Sequence, residues 1–290
     1  MKKNERVMGK KMQKMLALPL ASRVIGKIRI YGQIGSGMMP IPSYGGVNPD
    51  RIIKKIRWAA GRNVRALIFE INSPGGAVLP SKEIAEYIKK LDIPTVAWIR
   101  DLGASGAYWI ASACDRIVAD PCSGVGSIGV ISSHLEFSGM MKKYGVGYQG
   151  YKTGEFKDMG VPFRKPTEKE KSSIQEHINN IHSRFVKSVA ENRGLDPRKI
   201  GRLANGKLYL GDEAKKAGLV DQLGGRSEAI RMCESLGKFK HIMVAEIEDP
   251  REELMVALRS FLSIAPMGIG RGISEGLFDK MSSGFGINFR

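Results

Sequence analysis

Hydrophobic positions along this chain follow two periodicities, and their alternation predicts an α/β fold. Residues 24–30 and 64–71 are rich in apolar and β-branched side chains, which is typical of strands. Segments 49–60, 80–91 and 226–236 have the apolar spacing of helices. Because strands separated by helices usually pair in parallel, these patterns predict a mainly parallel, buried sheet.

The rest of the chain adds shorter elements and one long helix. The capping-box sequence Thr167–Glu170 predicts the start of an amphipathic helix that ends at Gly194. Additional elements are expected as strands at 94–99, 116–119, 127–132, 148–152 and 241–246, and as helices at 105–114, 137–144, 197–203 and 251–263.

The pattern divides the chain into three parts. Residues 1–23 form a basic amphipathic arm in which lysines alternate with methionines and leucines, a composition that suits a membrane interface or a partner subunit. Residues 24–246 form the main domain, and residues 247–290 form a helix followed by a Gly/Met-rich tail. The apolar run in the arm is too short to cross a bilayer. We therefore expect a cytoplasmic or peripherally membrane-associated protein.

Charge and cysteine content narrow the classes of partner and cofactor. The formal net charge of +17 favours anionic surfaces, but the basic residues are scattered and no nucleic-acid-binding motif is present. The three cysteines show no C-x-x-C spacing, and the four histidines show no ligand pattern. The sequence therefore predicts no nucleic-acid partner, no metal and no cofactor.

Two turns carry candidate chemistry. The sequence DLGASGAYW at 101–109 presents Ser105 among small residues, so that a substrate carbonyl could approach its hydroxyl closely. Upstream, the strand 64–71 ends at NSPGG, where two glycines offer backbone N–H groups for an oxyanion hole. Together they predict acyl chemistry. A serine nucleophile needs a base, usually histidine but in some hydrolases an uncharged lysine, and composition does not select one.

Five motifs occur in the order found in one known family. The chain resembles the signal peptide peptidase A family of Ser-Lys proteases, within the Clp-protease/crotonase-like fold of repeated β-β-α units. The resemblance covers roughly residues 24–246 and is carried by INSPGG at 71–76, DLGASG at 101–106, GVGSIGV at 124–130, KTGEFKD at 152–158 and AGLVDQLGG at 217–225.

The resemblance implies a role for each site residue. Ser105 matches the nucleophile and Lys157 the general base, while Ser127 matches a serine that orients the lysine amine. The backbone N–H groups of Gly76 and Gly106 are expected to form the oxyanion hole. The implied activity is a serine endopeptidase that cleaves hydrophobic or unfolded peptides and assembles into a homo-oligomeric ring.

A lysine that acts as a base must lose a proton that it normally holds until pH ~10. This requires dry surroundings and no carboxylate beside the amine. Glu155 and Asp158 flank Lys157, so we expect both carboxylates to point away while apolar walls enclose the amine.

Three alternatives remain open at this stage. His134 is a competing base, because Clp-type relatives use a Ser-His-Asp triad. A crotonase-like enzyme would use the glycine turn to polarise an acyl-CoA thioester without a serine nucleophile. A non-catalytic protein could retain the ring-forming fold alone.

Overall fold

The computed structural model describes residues 24–35, 46–61, 64–241 and 243–248. The strands are β1 (Val24–Tyr31), β2 (Ala66–Ser73), β3 (Thr95–Ala104), β4 (Arg116–Ala119), β5 (Gly124–Gly126), β6 (Leu208–Leu210), β7 (Gln222–Leu223) and β8 (Met243–Glu246). The helices are α1 (Pro49–Ala60), α2 (Val78–Ile88), α3 (Gly106–Ser112), α4 (Ser138–Lys143), α5 (Glu168–Arg193), α6 (Pro197–Leu203), α7 (Gly211–Ala217) and α8 (Arg226–Gly237).

The strands form a single sheet in the order β6-β5-β3-β2-β1-β8, with β4 between β3 and β7. Every pairing is parallel except that of β5 with β6. The sheet is buried, as the apolar strands predict: Ile25, Ile28 and Phe69 have no exposed surface. On one face, Ala229 and Cys233 of α8 pack against Ile25 and its neighbours. The predicted α/β fold with a mainly parallel sheet is confirmed.

Strand β3 is longer than the strand predicted at 94–99. Its second half leads directly into the turn at Ser105. The pairing of β3 with β2 shifts register between the pairs Ile71–Ile99 and Ser73–Gly103, which marks a bulge in β3. Before the bulge β3 pairs with β4, and after it residues 102–104 pair with β5. The bulge therefore brings the end of β3 beside the short strand β5.

The long helix α5 begins and ends as predicted. The Thr167 side chain accepts a hydrogen bond from the Glu170 N–H at 3.2 Å, and the Thr167 N–H donates to Glu170 Oε2 at 2.8 Å. Gly194 ends the helix in the left-handed region, at φ 60°. The capping box is therefore present as a reciprocal pair of bonds.

Two predicted strands are wrong. The strand expected at 127–132 lies at 124–126 instead, because Ser127 has a positive φ of 47° that ends the extended run. Residues 148–152 are exposed and form no strand, because none of the strands in the described part of the chain pairs with them. The predicted arm 1–23 and the helix 251–263 lie outside the described residues.

The chain divides after Glu246 into two units, Met1–Glu246 and Ile247–Arg290. Among the helices described above, none has the length and apolar character needed to cross a bilayer.

Candidate active site

Ser105 lies at the sharp turn between β3 and α3. Its backbone has φ 51° and ψ −124°, a conformation that L-residues rarely adopt. The turn is held by two backbone hydrogen bonds: the Ser105 N–H donates to the Gly126 carbonyl at 2.8 Å, and the Ser105 carbonyl accepts from the Trp109 N–H at 3.0 Å. A strained strand-to-helix turn of this kind presents a nucleophile, and such strain costs roughly 1–3 kcal/mol.

The Pro-Gly-Gly turn lies directly against Ser105. A Cβ on Gly75 would lie 2.8 Å from the Ser105 Cβ and 2.7 Å from the Gly106 nitrogen. A Cβ on Gly106 would lie 3.4 Å from the Gly76 nitrogen. The two predicted oxyanion donors are therefore neighbours beside the Ser105 side chain, and only glycine fits this close approach.

Side chains that the motifs alone did not single out hold these turns. Ser73 Oγ donates to the Gly32 carbonyl at 2.6 Å and accepts from the Gly75 N–H at 3.1 Å. This hydroxyl turn could have been recognised, because a serine two residues before a glycine is a known turn signal. Asn72 Nδ2 donates to Asp101 Oδ2 at 2.5 Å and joins the two motifs.

Ser127 follows directly after the residue whose carbonyl is hydrogen-bonded to Ser105. It follows Gly126, whose carbonyl accepts from the Ser105 N–H, and its own N–H donates to the Lys207 carbonyl at 2.9 Å. In the described part of the chain three non-glycine residues have a positive φ, and Ser105 and Ser127 are two of them. Both predicted serines are therefore held in unusual conformations at the C-terminal end of β5.

Lys157 lies in a series of turns between α4 and α5. The flanking carboxylates are engaged elsewhere, as expected. Glu155 pairs with Lys169 at 3.0 Å, and Asp158 pairs with Lys152 and Arg164.

The expected apolar walls around Lys157 are not found within the described part of this chain, where the Lys157 residue is exposed. Among these residues no hydrogen bond joins Ser105 to Lys157. The prediction of an enclosed amine is therefore wrong for the single chain. The physical reason is that residues 131–163 make few packing contacts with the chain's own core and remain largely exposed.

Helix α5 contacts the region of Ser105 at one end and the region of Lys157 at the other. It runs alongside α3, because Trp109 stacks on Phe185 with ring centroids 4.3 Å apart and Asn192 Nδ2 donates to Ser112 Oγ at 3.0 Å. The contacts with α3 therefore fall in the C-terminal half of α5. Glu170, in the first turn of α5, precedes Phe185 by 15 residues, or roughly 22 Å along the helix axis at 1.5 Å per residue.

Arg164 binds both Glu170 and Asp158, so the Lys157 segment is attached to that distant end of α5. The hydrogen bonds from Arg164 and from the Thr167 N–H lower the pKa of Glu170 to about 2. Arg164, with help from Lys152, holds the pKa of Asp158 well below its usual range. The segment is therefore fixed by charged pairs rather than by apolar packing.

His134 is exposed in the segment between β5 and α4. No hydrogen bond or ion pair in the described part of the chain connects it to Ser105 or to a carboxylate. The histidine alternative thus lacks the orienting partner that a triad needs.

Several known proteins are similar in sequence to this chain. The sequence profile of Peptidase family S49 matches residues 88–240. The chain is 38% identical to the candidate protease MJ0651 of Methanocaldococcus jannaschii, over 74% of this chain and 69% of that protein. It is 41% identical to the candidate signal peptide peptidase SppA of Enterococcus faecium, over 67% of this chain and 56% of that protein. The chain thus spans about half to two thirds of the length of these relatives.

A solved structure shares the fold. The 1510-N membrane-bound stomatin-specific protease, in complex with a substrate peptide, superposes with a TM-score of 0.53 at 17% identity, covering 82% of this chain and 98% of that one. The α/β architecture with a mainly parallel sheet is therefore shared with a solved protease. With the profile matched across more than half of its length, the chain belongs to peptidase family S49.

Proposed function

We propose that this chain is a serine endopeptidase in which Ser105 is the nucleophile and Lys157 is the general base. One observation carries the proposal: a strained serine lies beside two backbone nitrogens, of Gly76 and Gly106, in the arrangement of an oxyanion hole. A core turn has no need of this strain, which is characteristic of functional sites.

The reaction is acyl transfer in two steps. Neutral Lys157 takes the Ser105 proton while Ser105 Oγ attacks the peptide carbonyl, and the N–H groups of Gly76 and Gly106 bind the resulting oxyanion. The lysine ammonium then protonates the leaving amine as the peptide bond breaks. A water molecule attacks the ester, Lys157 again accepts the proton, and Ser105 recovers it on release of the acid. Ser127, beside Ser105, orients the lysine amine.

We infer that Lys157 reaches a Ser105 nucleophile only when several copies of the chain assemble. In the single chain its segment is tied to the first turn of α5 through Arg164 and is exposed to water, whereas a lysine base needs dry surroundings. The same segment carries large apolar side chains in solvent, such as Ile131 at 90% and Tyr151 at 95% exposure. Exposed apolar surface of this kind marks an interaction site. A second copy packed on it would bury both the apolar side chains and Lys157.

The substrate proposed is a hydrophobic or unfolded peptide, including signal-peptide remnants. Val78 and Leu79 begin α2 immediately after the oxyanion turn and are exposed, Leu79 at 62%. Apolar side chains at this point favour an apolar peptide, whose burial strengthens binding. Peripheral contact of the basic arm 1–23 with a membrane would present the enzyme to such substrates.

Peptide cleavage by four proteins tests the proposal: wild type, Ser105→Ala, Lys157→Ala and His134→Ala. We expect loss of activity in the first two variants and retention in the third, which is the matched control for removal of an exposed basic residue from segment 131–163. Full activity in Lys157→Ala would exclude the dyad. Retained activity in Ser105→Ala would exclude the nucleophile.

A mixture of Ser105→Ala and Lys157→Ala chains tests the assembly. Co-expressed and co-purified, the two inactive variants should recover part of the wild-type activity, because each oligomer then pairs an intact Ser105 with an intact Lys157 of a neighbour. A mixture that exchanges subunits but stays inactive would require both residues from the same chain.

The alternatives make different predictions. A crotonase-like enzyme would bind an acyl-CoA analogue and would not need Ser105. A non-catalytic ring protein would assemble normally and cleave no unfolded apolar peptide under any condition.

A further inference from the structure

Arg164 is the centre of a charged cluster next to Lys157, and the sequence analysis did not single it out. Its Nε and Nη2 donate to the two carboxylate oxygens of Asp158 at 3.0 and 2.8 Å. Its Nη1 and Nη2 donate to the two oxygens of Glu170 at 2.9 and 2.5 Å. One guanidinium therefore holds two carboxylates, each through a two-point contact, which only arginine can provide.

The anchor for this clamp is rigid. Glu170 is 2% exposed and is also bonded to the Thr167 N–H in the capping box of α5. Helix α5 is in turn packed on α3, the helix that begins after Ser105, through the Trp109–Phe185 stack. The backbone of the Lys157 segment is thus fixed, through Asp158, Arg164 and Glu170, to the core of its own chain.

The clamp also holds the carboxylate of Asp158, the residue that follows Lys157 in the sequence. The groups around the segment are Lys152, Glu155, Asp158, Arg164, Lys169 and Glu170. Glu155 is paired with Lys169, and Asp158 with Lys152 and Arg164, so each carboxylate near the base has a cationic partner other than Lys157. Without Arg164, Asp158 would keep only the exposed Lys152 and could turn to its sequence neighbour.

We propose that Arg164 is a positioning residue for Lys157: it fixes the segment that carries the base and keeps the Asp158 carboxylate away from the amine. This inference rests on the proposed role of Lys157 as general base. A freed Asp158 beside the lysine would favour the charged ammonium, and the basic form would then appear only at higher pH.

The test is the pH dependence of kcat/KM for an apolar fluorogenic peptide, measured with the full chain. In Arg164→Met the ascending limb of the pH profile of kcat/KM should move to higher pH by about 1 unit. The value of kcat/KM should fall about tenfold at neutral pH and recover in alkaline buffer. Arg164→Met combined with Asp158→Asn should bring the limb back toward its wild-type position, because the competing carboxylate is then neutral. A purely structural role predicts a loss of activity at every pH and no such return.

Glu170→Gln is the matched control. It weakens the Arg164–Glu170 pair but leaves Arg164 bonded to Asp158. We therefore expect kcat to fall while the ascending limb of the pH profile stays at its wild-type pH. If Arg164→Met does not fold by circular dichroism, Arg164→Lys replaces it, since lysine keeps the charge but loses the two-point contacts. It should show a smaller shift in the same direction.

The role of Arg164 would be overturned if the ascending limb of the pH profile does not move in folded Arg164→Met. It would also be overturned if the limb stays at higher pH in the double variant with Asp158→Asn. The failure of the proposed function has a different signature, because Lys157→Ala would then remain active. An inactive Lys157→Ala with an unmoved limb removes the inference about Arg164 alone.

Discussion

Replacing Gly106 by alanine should reduce peptide cleavage about a hundredfold, because the new methyl group would push the oxyanion donor out of position. A Cβ on Gly106 would lie 2.2 Å from Ser81 Oγ and 3.0 Å from Ser81 Cβ, whereas ordinary contacts begin near 3.4 Å. Ser81 is fully buried, and its hydroxyl donates to the Ala77 carbonyl at 2.8 Å. It therefore has little freedom to turn away.

The size of the effect follows from the overlap. To reach a normal contact, the Gly106 backbone and Ser81 must separate by roughly 1 Å, and a misplacement of ~1 Å at a reacting centre can cost ~10²-fold in rate. Loss of one oxyanion donor costs ~10²–10³-fold in kcat by itself, or about 2.7–4 kcal/mol. Overpacking should also lower the free energy of unfolding by about 1–3 kcal/mol.

The assay is kcat for an apolar fluorogenic peptide, with melting temperature measured in parallel. Ser81→Ala is the matched control, because it removes the oxygen that clashes and leaves only the contact at 3.0 Å. Alone it should stay within about threefold of wild type, and in the Gly106→Ala background it should restore most of the lost rate. The interaction between the two changes is then the coupling free energy of a double-mutant cycle.

Two results would refute this reasoning. Gly106→Ala with wild-type kcat would mean that its N–H does not bind the oxyanion. A folded Gly106→Ala protein that Ser81→Ala fails to rescue would mean that contact with Ser81 is not the cause of the loss.

Three further predictions concern strain, acid stability and thiol reactivity. The free energy of unfolding of Ser105→Gly should exceed that of Ser105→Ala by about 1 kcal/mol in chemical denaturation, because glycine relieves the strain of the positive φ. This is the reverse of the usual order of glycine and alanine. Equal or lower stability of Ser105→Gly would show that the turn is unstrained. Because the pKa of Glu170 is lowered to about 2, its pairing with Arg164 stabilises the fold above pH ~4 and is lost as pH falls toward 2. Melting temperature in that window should therefore fall less steeply in Glu170→Gln, and identical slopes would contradict the pairing. In the native protein only the exposed Cys122 should react rapidly with a thiol reagent, while the two buried cysteines react after unfolding; rapid labelling of three thiols would contradict the burial.

Much of the fold could be predicted because it depends on short-range pattern. The apolar runs of β1 and β2 place both strands in the sheet, and the capping box at Thr167 places the start of α5, since each signal involves residues within one or two turns of the chain. The wrong strand at 127–132 has the opposite cause. Ser127 takes its positive φ from the turn it makes against Lys207, a contact that no local pattern contains.

The sequence by itself determined the reactive turn of this protein. Small residues around Ser105 and the glycines of the NSPGG turn restrict what those few residues can do, because only glycine permits such close approach of backbones. The tertiary structure alone decided what surrounds them: the NSPGG turn lies against Ser105, the Ser105 N–H bonds to the carbonyl that precedes Ser127, and Lys157 is exposed. Burial and proximity depend on residues far apart in the chain, so the surroundings of a side chain such as Lys157 are set by packing.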